Sequence, residues 1–268
     1  ADLVRTQNGE WWSVMLGKRK VDGYTLLARE TFLAKVDLQY QEGMLTPVFN
    51  RGIGRLLEVQ DRPDLPWNPV PPLPATDDFE EEKLALHWNF LRTPLESWHQ
   101  IGEGSLKLQL RPQVVDSLVN PSLVARRIQH HAFQASTALD FSTRKENEVA
   151  GLILYRMSKN HFQLVKNRDH IVLVRTSQGE KQTIAKTAYK ESTVILEAEA
   201  DGLQVQFRFG PTGDKMQVLG PAQPMHVLSD EKCGGFNGPY VGMYATSNGQ
   251  ASKSSASFEW FNYKGTEL

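Results

Sequence analysis

The stretch Phe133-Gln134-Ala135-Ser136-Thr137-Ala138-Leu139-Asp140-Phe141 alternates along nine positions. Successive side chains of a β-strand point to opposite faces of its sheet, so residues two apart share a face. Phe133, Ala135, Thr137, Leu139 and Phe141 would therefore line one side of a long strand. The stretch predicts a strand with one buried face.

The same period of two recurs through the rest of this half of the chain. It is found in segments 106–110, 149–155, 162–165, 171–174, 194–199, 203–209, 241–244 and 258–263. Turn sequences such as Gln178-Gly179 and Asn248-Gly249 separate them. About ten or more strands at roughly 8- to 12-residue spacing, with no long segment of helical period, predict an all-β, two-sheet β-sandwich.

The first part of the chain also predicts strands, at 2–6, 11–16, 31–36 and 55–59. Asn8-Gly9 joins the first two and favours a type I′ hairpin turn. Six prolines then fall between Arg62 and Ala75. Proline cannot donate to a strand ladder or continue a helix, so this stretch predicts a linker, with Trp67 packed against a neighbouring surface. The predicted division is a first domain at 1–60, a linker at 61–76 and a sandwich at 77–268.

Composition limits the classes of partner. The chain has 268 residues, 40% hydrophobic and 23% charged, with a formal net charge of −1. That charge gives no electrostatic footprint for nucleic acid or an anionic membrane, so we expect neither as a partner. The single Cys233 excludes an intrachain disulfide and leaves the compartment open between cytoplasm, periplasm and cell exterior.

Several segments carry a family resemblance. The opening segments 1–4, 8–12 and 27–31 resemble the last blade of the five-bladed catalytic β-propeller in glycoside hydrolase family 43, which contains β-xylosidases and α-L-arabinofuranosidases. Members with a C-terminal concanavalin-like, jelly-roll sandwich carry segments similar to 77–79, 124–127, 150–152, 234–236, 241–243 and 258–264. Two departures are Ala28, where many relatives have Gly before the Arg-Glu pair, and Met44-Leu45-Thr46-Pro47, which replaces a common Trp-Pro.

The resemblance implies an inverting exo-glycosidase that acts on β-xylosidic and/or α-L-arabinofuranosidic bonds of plant hemicellulose oligosaccharides. In that family a Gly-His pair stands directly before the first of these strands, and the Asp base, the Glu acid and a second Asp lie further upstream. We therefore expect no catalytic residue in this chain, inactivity of the chain alone, and a missing N-terminal propeller part as its partner. A homo-oligomer is also expected. The alternative is a non-catalytic carbohydrate-binding or oligomerisation module.

The resemblance points to two substrate-binding residues. The family's arginine at the position of Arg29 reaches the subsite of the non-reducing sugar, where its forked donor can bond hydroxyls. The alternative is a surface arginine paired with Glu30 or Asp37. Phe236 lies in a glycine-rich loop, and the corresponding phenylalanine in relatives closes the sugar pocket. Its alternative is burial beneath its own loop.

Other groups predict structural roles. The acidic residues at 77–82 lack the spacing of a calcium loop and predict a solvated strand entry, although a calcium ion stays open for the parent enzyme. His130-His131 cannot both bind one metal ion from a regular strand, so no metal site is expected here. The tryptophans at 88, 98 and 260 are expected in the core or in an interface rather than in a sugar-binding groove.

Overall fold

A computed structural model describes residues 1–266 of the chain and divides it into two compact units. The first unit contains Ala1–Arg19 and Arg29–Leu73. The second contains Lys20–Ala28 and the chain from Pro74 onward. Within the described residues, no helix is long and apolar enough to cross a membrane.

The first unit contains one antiparallel sheet. Its strands are β1 (Asp2–Arg5), β2 (Trp11–Gly17), β3 (Glu30–Gln41) and β4 (Met44–Phe49), which pair in chain order as a meander. Trp12, Ala34 and Val36 are buried on it. This four-stranded meander is the partial propeller blade that the sequence predicted.

The prediction of a strand at 55–59 is wrong. The strand beside β3 is instead Met44–Phe49, where Pro47 pairs opposite Leu38. An edge strand can accept proline because its N–H side need not donate to a neighbour. Asn50 then diverts the chain, because its side-chain nitrogen donates to the carbonyl of Arg55 at 2.9 Å.

The turn at Asn8-Gly9 also differs from the prediction. The Gly9 N–H donates to the Thr6 carbonyl at 3.0 Å, and the Thr6 N–H donates to the Glu10 carbonyl at 2.8 Å. Gly9 has a φ of +90°, whereas Asn8 is not among the residues with positive φ. A type I′ turn needs positive φ at both central residues, so this loop is a turn closed by a glycine bulge.

The second unit is a sandwich of two antiparallel sheets. The nine-stranded sheet contains β5 (Thr76–Asp77), β7 (His99–Gly102), β8 (Ser105–Gln109), β10 (Ala132–Asp140), β15 (Thr193–Asp201), β16 (Gln204–Gly210), β17 (Gln217–Val218), β18 (Gln223–Pro224) and β20 (Ser255–Thr266). The seven-stranded sheet contains β6 (Asn89–Phe90), β9 (Ser122–Arg127), β11 (Val149–Met157), β12 (Asn160–Lys166), β13 (His170–Ser177), β14 (Glu180–Ala188) and β19 (Tyr240–Thr246). Two 3₁₀ helices (Gly213–Lys215 and Met225–Leu228) and α1 (Asp230–Cys233) lie between strands.

The inner faces of the two sheets form the core. Phe133, Ala135, Thr137, Leu139 and Phe141 are all buried, which confirms the predicted face of β10. The prediction missed β14, whose residues are mostly exposed. An edge strand with little apolar surface to bury carries only a weak period-2 pattern.

The proline-rich segment has no regular secondary structure before Thr76. Trp67 is 70% exposed, so the expectation that it packs against a neighbouring surface is wrong. The Arg62 guanidinium instead lies 4.8 Å from the centre of its ring. A cation over an aromatic face stabilises the exposed indole locally.

We predict that Gly242→Ala destabilises the sandwich. A Cβ at Gly242 would lie 2.2 Å from the Val124 carbonyl oxygen and 2.5 Å from the Ala125 Cα. Both atoms belong to the backbone of the adjacent strand β9, so relief requires the sheet to shift, at a cost of about 1–3 kcal/mol. Differential scanning calorimetry should show a lower Tm by several degrees. Gly213→Ala is the control, because no atom lies within 4 Å of its added Cβ. Equal Tm values for the two variants would contradict the prediction.

Candidate functional site

A segment from the first part of the sequence belongs to the sandwich. Residues Lys20–Ala28, called the strap here, are part of the second unit. Leu26 and Leu27 are buried in the hydrophobic core of the sandwich. The Tyr24 ring stacks on His226 with centroids 4.9 Å apart and planes 20° apart. Apolar burial and stacking therefore hold both halves of the strap on the sandwich.

The Glu231 carboxylate fixes the centre of the strap. It accepts hydrogen bonds from the Thr25 N–H at 2.8 Å and the Thr25 hydroxyl at 3.0 Å. The Asp230 N–H returns a bond to the Thr25 carbonyl at 3.1 Å. Lys20 Nζ lies 3.5 Å from the same carboxylate. Both backbone polar groups of Thr25 are thus paired with α1.

The same short helix leads into the loop of Phe236. Residues 230–239 are called the Phe236 turn here. The Gly234 N–H donates to the Asp230 carbonyl at 2.7 Å, and Gly234 and Gly235 have φ values of +68° and +80°. Arg156 Nη2 donates to Asp230 Oδ1 at 3.1 Å and to the Gly234 carbonyl at 2.8 Å. These bonds therefore anchor the turn as far as Gly234, two residues before Phe236.

Phe236 itself is 62% exposed. This exposure argues against the alternative in which the ring is buried beneath its own loop. Burial raises the pKa of the nearby Cys233 thiol to about 11, so the thiol stays protonated at neutral pH. The turn can offer an aromatic surface to a ligand, whereas its cysteine is a poor nucleophile.

Arg29 lies directly after the strap, in a bend before β3, and it is exposed. The preceding Ala28 is buried and has a φ of +63°. A side chain in this left-handed region costs roughly 1–2 kcal/mol, whereas glycine adopts it without strain. Glycine at position 28 would therefore adopt this conformation without the cost that alanine carries.

Glu30 is held by an arginine other than its sequence neighbour. Arg19 Nη2 lies 2.7 Å from Glu30 Oε1, and Arg19 Nε lies 3.1 Å from both carboxylate oxygens. This paired geometry keeps Glu30 in a structural ion pair. Glu30 is the first residue of β3, whereas Arg29 precedes that strand.

The tryptophans at 88 and 98 are buried, as predicted. Trp88 Nε1 donates to Asp77 Oδ2 at 2.7 Å, and Trp98 Nε1 donates to Asn120 Oδ1 at 2.9 Å. Asp77 at the start of the acidic run is thus used inside the fold. In residues 1–266, no group of three or more His, Cys, Asp or Glu is arranged to hold a metal ion.

We predict that the strap loses its carboxylate bonds only in strong acid. Burial by itself raises the pKa of Glu231. Hydrogen bonds from the Thr25 N–H, from its own N–H and from the Thr25 hydroxyl lower the pKa by more than burial raises it, so the pKa falls from 4.5 to about 2. Because this pKa is depressed in the folded state, the stabilisation by Glu231 is complete above about pH 4.5 and is lost as the pH falls through about 2. The chemical shift of the Thr25 amide in the 268-residue chain should titrate near pH 2.

Glu231→Gln should abolish that titration because the amide carries no titratable proton. A Thr25 amide that titrates near pH 4.5 would contradict the inferred bond.

The sequence of the chain matches one protein family along most of its length. Residues 76–264 match the model of the β-xylosidase C-terminal concanavalin A-like domain. The chain is 34% identical to a non-reducing end α-L-arabinofuranosidase of Bacteroides ovatus, with 98% of this chain and 50% of that protein covered. It is 32% identical to a xylosidase/arabinosidase of Butyrivibrio fibrisolvens, with 97% and 51% covered. The chain spans about half the length of the curated relatives that it matches.

Solved structures agree with the sequence comparisons. The Bacteroides ovatus xyloglucan PUL protein GH43B superposes with a TM-score of 0.91 at 32% identity, with 99% of this chain and 53% of that chain covered. A xylan β-1,4-xylosidase from Bacillus halodurans C-125 gives a TM-score of 0.88 at 29% identity, with 98% and 52% covered. The chain therefore belongs to glycoside hydrolase family 43 and carries its β-xylosidase C-terminal concanavalin A-like domain.

Proposed function

We propose that this chain is the C-terminal portion of an inverting exo-glycosidase that hydrolyses β-xylosidic and/or α-L-arabinofuranosidic bonds of hemicellulose oligosaccharides. The observation that carries the proposal is the match along 97–98% of the chain to an α-L-arabinofuranosidase and a xylosidase/arabinosidase. Those matches continue through both units rather than stopping at the sandwich. An exo-acting enzyme of this kind binds the terminal sugar of a chain.

Hydrolysis with inversion needs two carboxyl groups about 6.5–9.5 Å apart, one to protonate the leaving oxygen and one to activate water. In the part of the chain that the structure describes, the carboxylate beside Arg29 is ion-paired with Arg19. That of Glu231 is ionised and bonded to Thr25. The Glu231 carboxylate is therefore no proton donor near neutral pH. Because the family resemblance implies that the acid and the base lie upstream of these strands, we assign both to the N-terminal propeller part.

The sheet of the first unit supports that partner. Leu16, Tyr40 and Met44 are exposed on its strands. A propeller blade buries its faces against adjacent blades, so such exposure on a lone blade fits missing neighbours. The proposed domain division remains a blade at 1–60, a linker at 61–76 and a sandwich at 77–268, except that the strap belongs to the same compact unit as the sandwich.

Arg29 and Phe236 are the proposed substrate-binding residues. A guanidinium presents planar donors to sugar hydroxyls and keeps nearby carboxylates ionised. It must act through those groups, since a bare cation would oppose the positive charge that develops at the anomeric carbon. An aromatic ring such as Phe236 packs against the C–H face of a sugar.

The isolated 268-residue chain should have no glycosidase activity, because it retains only binding and positioning groups. Release of nitrophenol from aryl β-xyloside and aryl α-L-arabinofuranoside should stay at the buffer rate. The complete polypeptide should hydrolyse at least one of them. If the pure chain hydrolysed either substrate and Glu30→Gln abolished this activity, the active site would lie in this chain. Xylan or arabinan binding by the chain, with no activity of the complete polypeptide, would instead support the binding-module alternative.

Arg29→Ala in the complete enzyme should lower kcat/KM. The expected loss of transition-state stabilisation is about 2–4 kcal/mol, the range for loss of a buried charged hydrogen bond. Arg29→Lys should restore little, because an ammonium group lacks the forked geometry. Arg55→Ala removes an exposed arginine of the same unit and is the control. Unchanged kinetics in a folded Arg29→Ala enzyme would return Arg29 to the role of a surface residue.

A further inference from the structure

The strap and the Phe236 turn meet at one junction within the sandwich unit. Thr25 of the strap bonds Glu231 through its N–H at 2.8 Å and its hydroxyl at 3.0 Å. It bonds the neighbouring Asp230 N–H through its carbonyl at 3.1 Å. One residue of the strap is thereby fixed to two consecutive residues of the turn.

The turn is fixed on its other side by a buried ion pair. Arg156 Nη2 bonds Asp230 Oδ1 at 3.1 Å and the Gly234 carbonyl at 2.8 Å, and the side chains of Arg156 and Asp230 are 5% and 7% exposed. A buried charge whose partner is removed is strongly destabilised, so this pair keeps Asp230 and Gly234 in place. Phe236 lies two residues after Gly234 in the chain.

Short, constrained lengths of chain run from the junction to both proposed sugar contacts. Residues 26–28 are buried, and Arg29 is the next residue in the chain. Gly234, three residues after Glu231, is pinned by Arg156. Loss of the Thr25–Glu231 bonds would therefore loosen the start of both lengths of chain, the one that leads to Arg29 and the one that leads to Phe236.

We propose that Glu231 is a positioning residue, whose carboxylate joins the strap to the Phe236 turn and so holds the backbone that leads to Arg29 on one side and to Phe236 on the other. The proposal rests on the proposed glycosidase function. Glu231 does not touch substrate and transfers no proton. Leu26 and Leu27 keep the strap on the core without it, so loss of Glu231 should loosen the junction rather than unfold the unit.

The first experiment measures hydrogen–deuterium exchange of the strap in the 268-residue chain, independently of activity. In Glu231→Ala, amides of residues 21–28 should exchange at least several-fold faster, because Thr25 loses two of its bonds. Glu197→Ala is the control, since it removes a carboxylate that bonds Gln134 and Arg208 elsewhere on the sandwich. Unchanged strap exchange in Glu231→Ala would overturn the proposal.

The second experiment measures kinetics of the complete enzyme on the aryl glycosides. Glu231→Ala should lower kcat/KM by about tenfold or more, the scale of a small misplacement of binding groups. Glu197→Ala should stay within about twofold of the native enzyme. Thr25→Val should reproduce part of the loss and Thr25→Ser should not, because serine keeps the hydroxyl. If Glu231→Ala does not fold, the two Thr25 variants provide the test in its place.

A double-mutant cycle separates positioning from general stability. In a Phe236→Ala background, Glu231→Ala should cost less than in the native enzyme, because part of its effect is already lost. The proposal would be overturned if the losses of kcat/KM in the two single variants simply multiplied in the double variant. It would also be overturned if Glu231→Ala kept native kinetics while Arg29→Ala and Phe236→Ala were impaired. An inactive complete polypeptide would instead refute the proposed function, and the exchange result would still report on the junction.

Discussion

The burial of one face of each sheet against the other is the interaction on which the sandwich depends. Phe207 and Phe258 of the nine-stranded sheet and Leu152 and Leu164 of the seven-stranded sheet are fully buried. Each such side chain contributes roughly 1.5–3 kcal/mol through removal from water. Pairing lowers the cost of burying a charged group, as at the buried Arg111, which donates to Ser122, Glu96 and Asn120.

That core also recruits a segment from outside its own stretch of sequence. Leu26 and Leu27 are buried in it, although the chain on either side of the strap belongs to the first unit. The two units are therefore interleaved in sequence, and the backbone directly before Arg29 depends on the sandwich. The left-handed conformation of Ala28 is a local cost of that path.

Carboxylates near the candidate residues are already committed to structure. Glu30 pairs with Arg19, Glu231 bonds Thr25, and Asp230 bonds Arg156. The hydrogen bonds to the ionised Glu231 carboxylate hold its pKa at about 2, well below the ordinary value. These three carboxylates therefore hold neighbouring backbone and side chains in place within their own units.

The sequence by itself determined the sandwich and its long strands, because period-2 burial leaves a pattern in a strand with one apolar face. It also indicated the family and the candidates Arg29 and Phe236, through short motifs. It missed the edge strand Met44–Phe49, where proline hides the pattern, and β14, which buries little. Only the tertiary structure decided the place of the strap and the pairing of Glu231 with Thr25. Thr25 and Glu231 lie 206 positions apart, and a hydrogen bond between two single residues imposes no periodicity that a sequence could reveal.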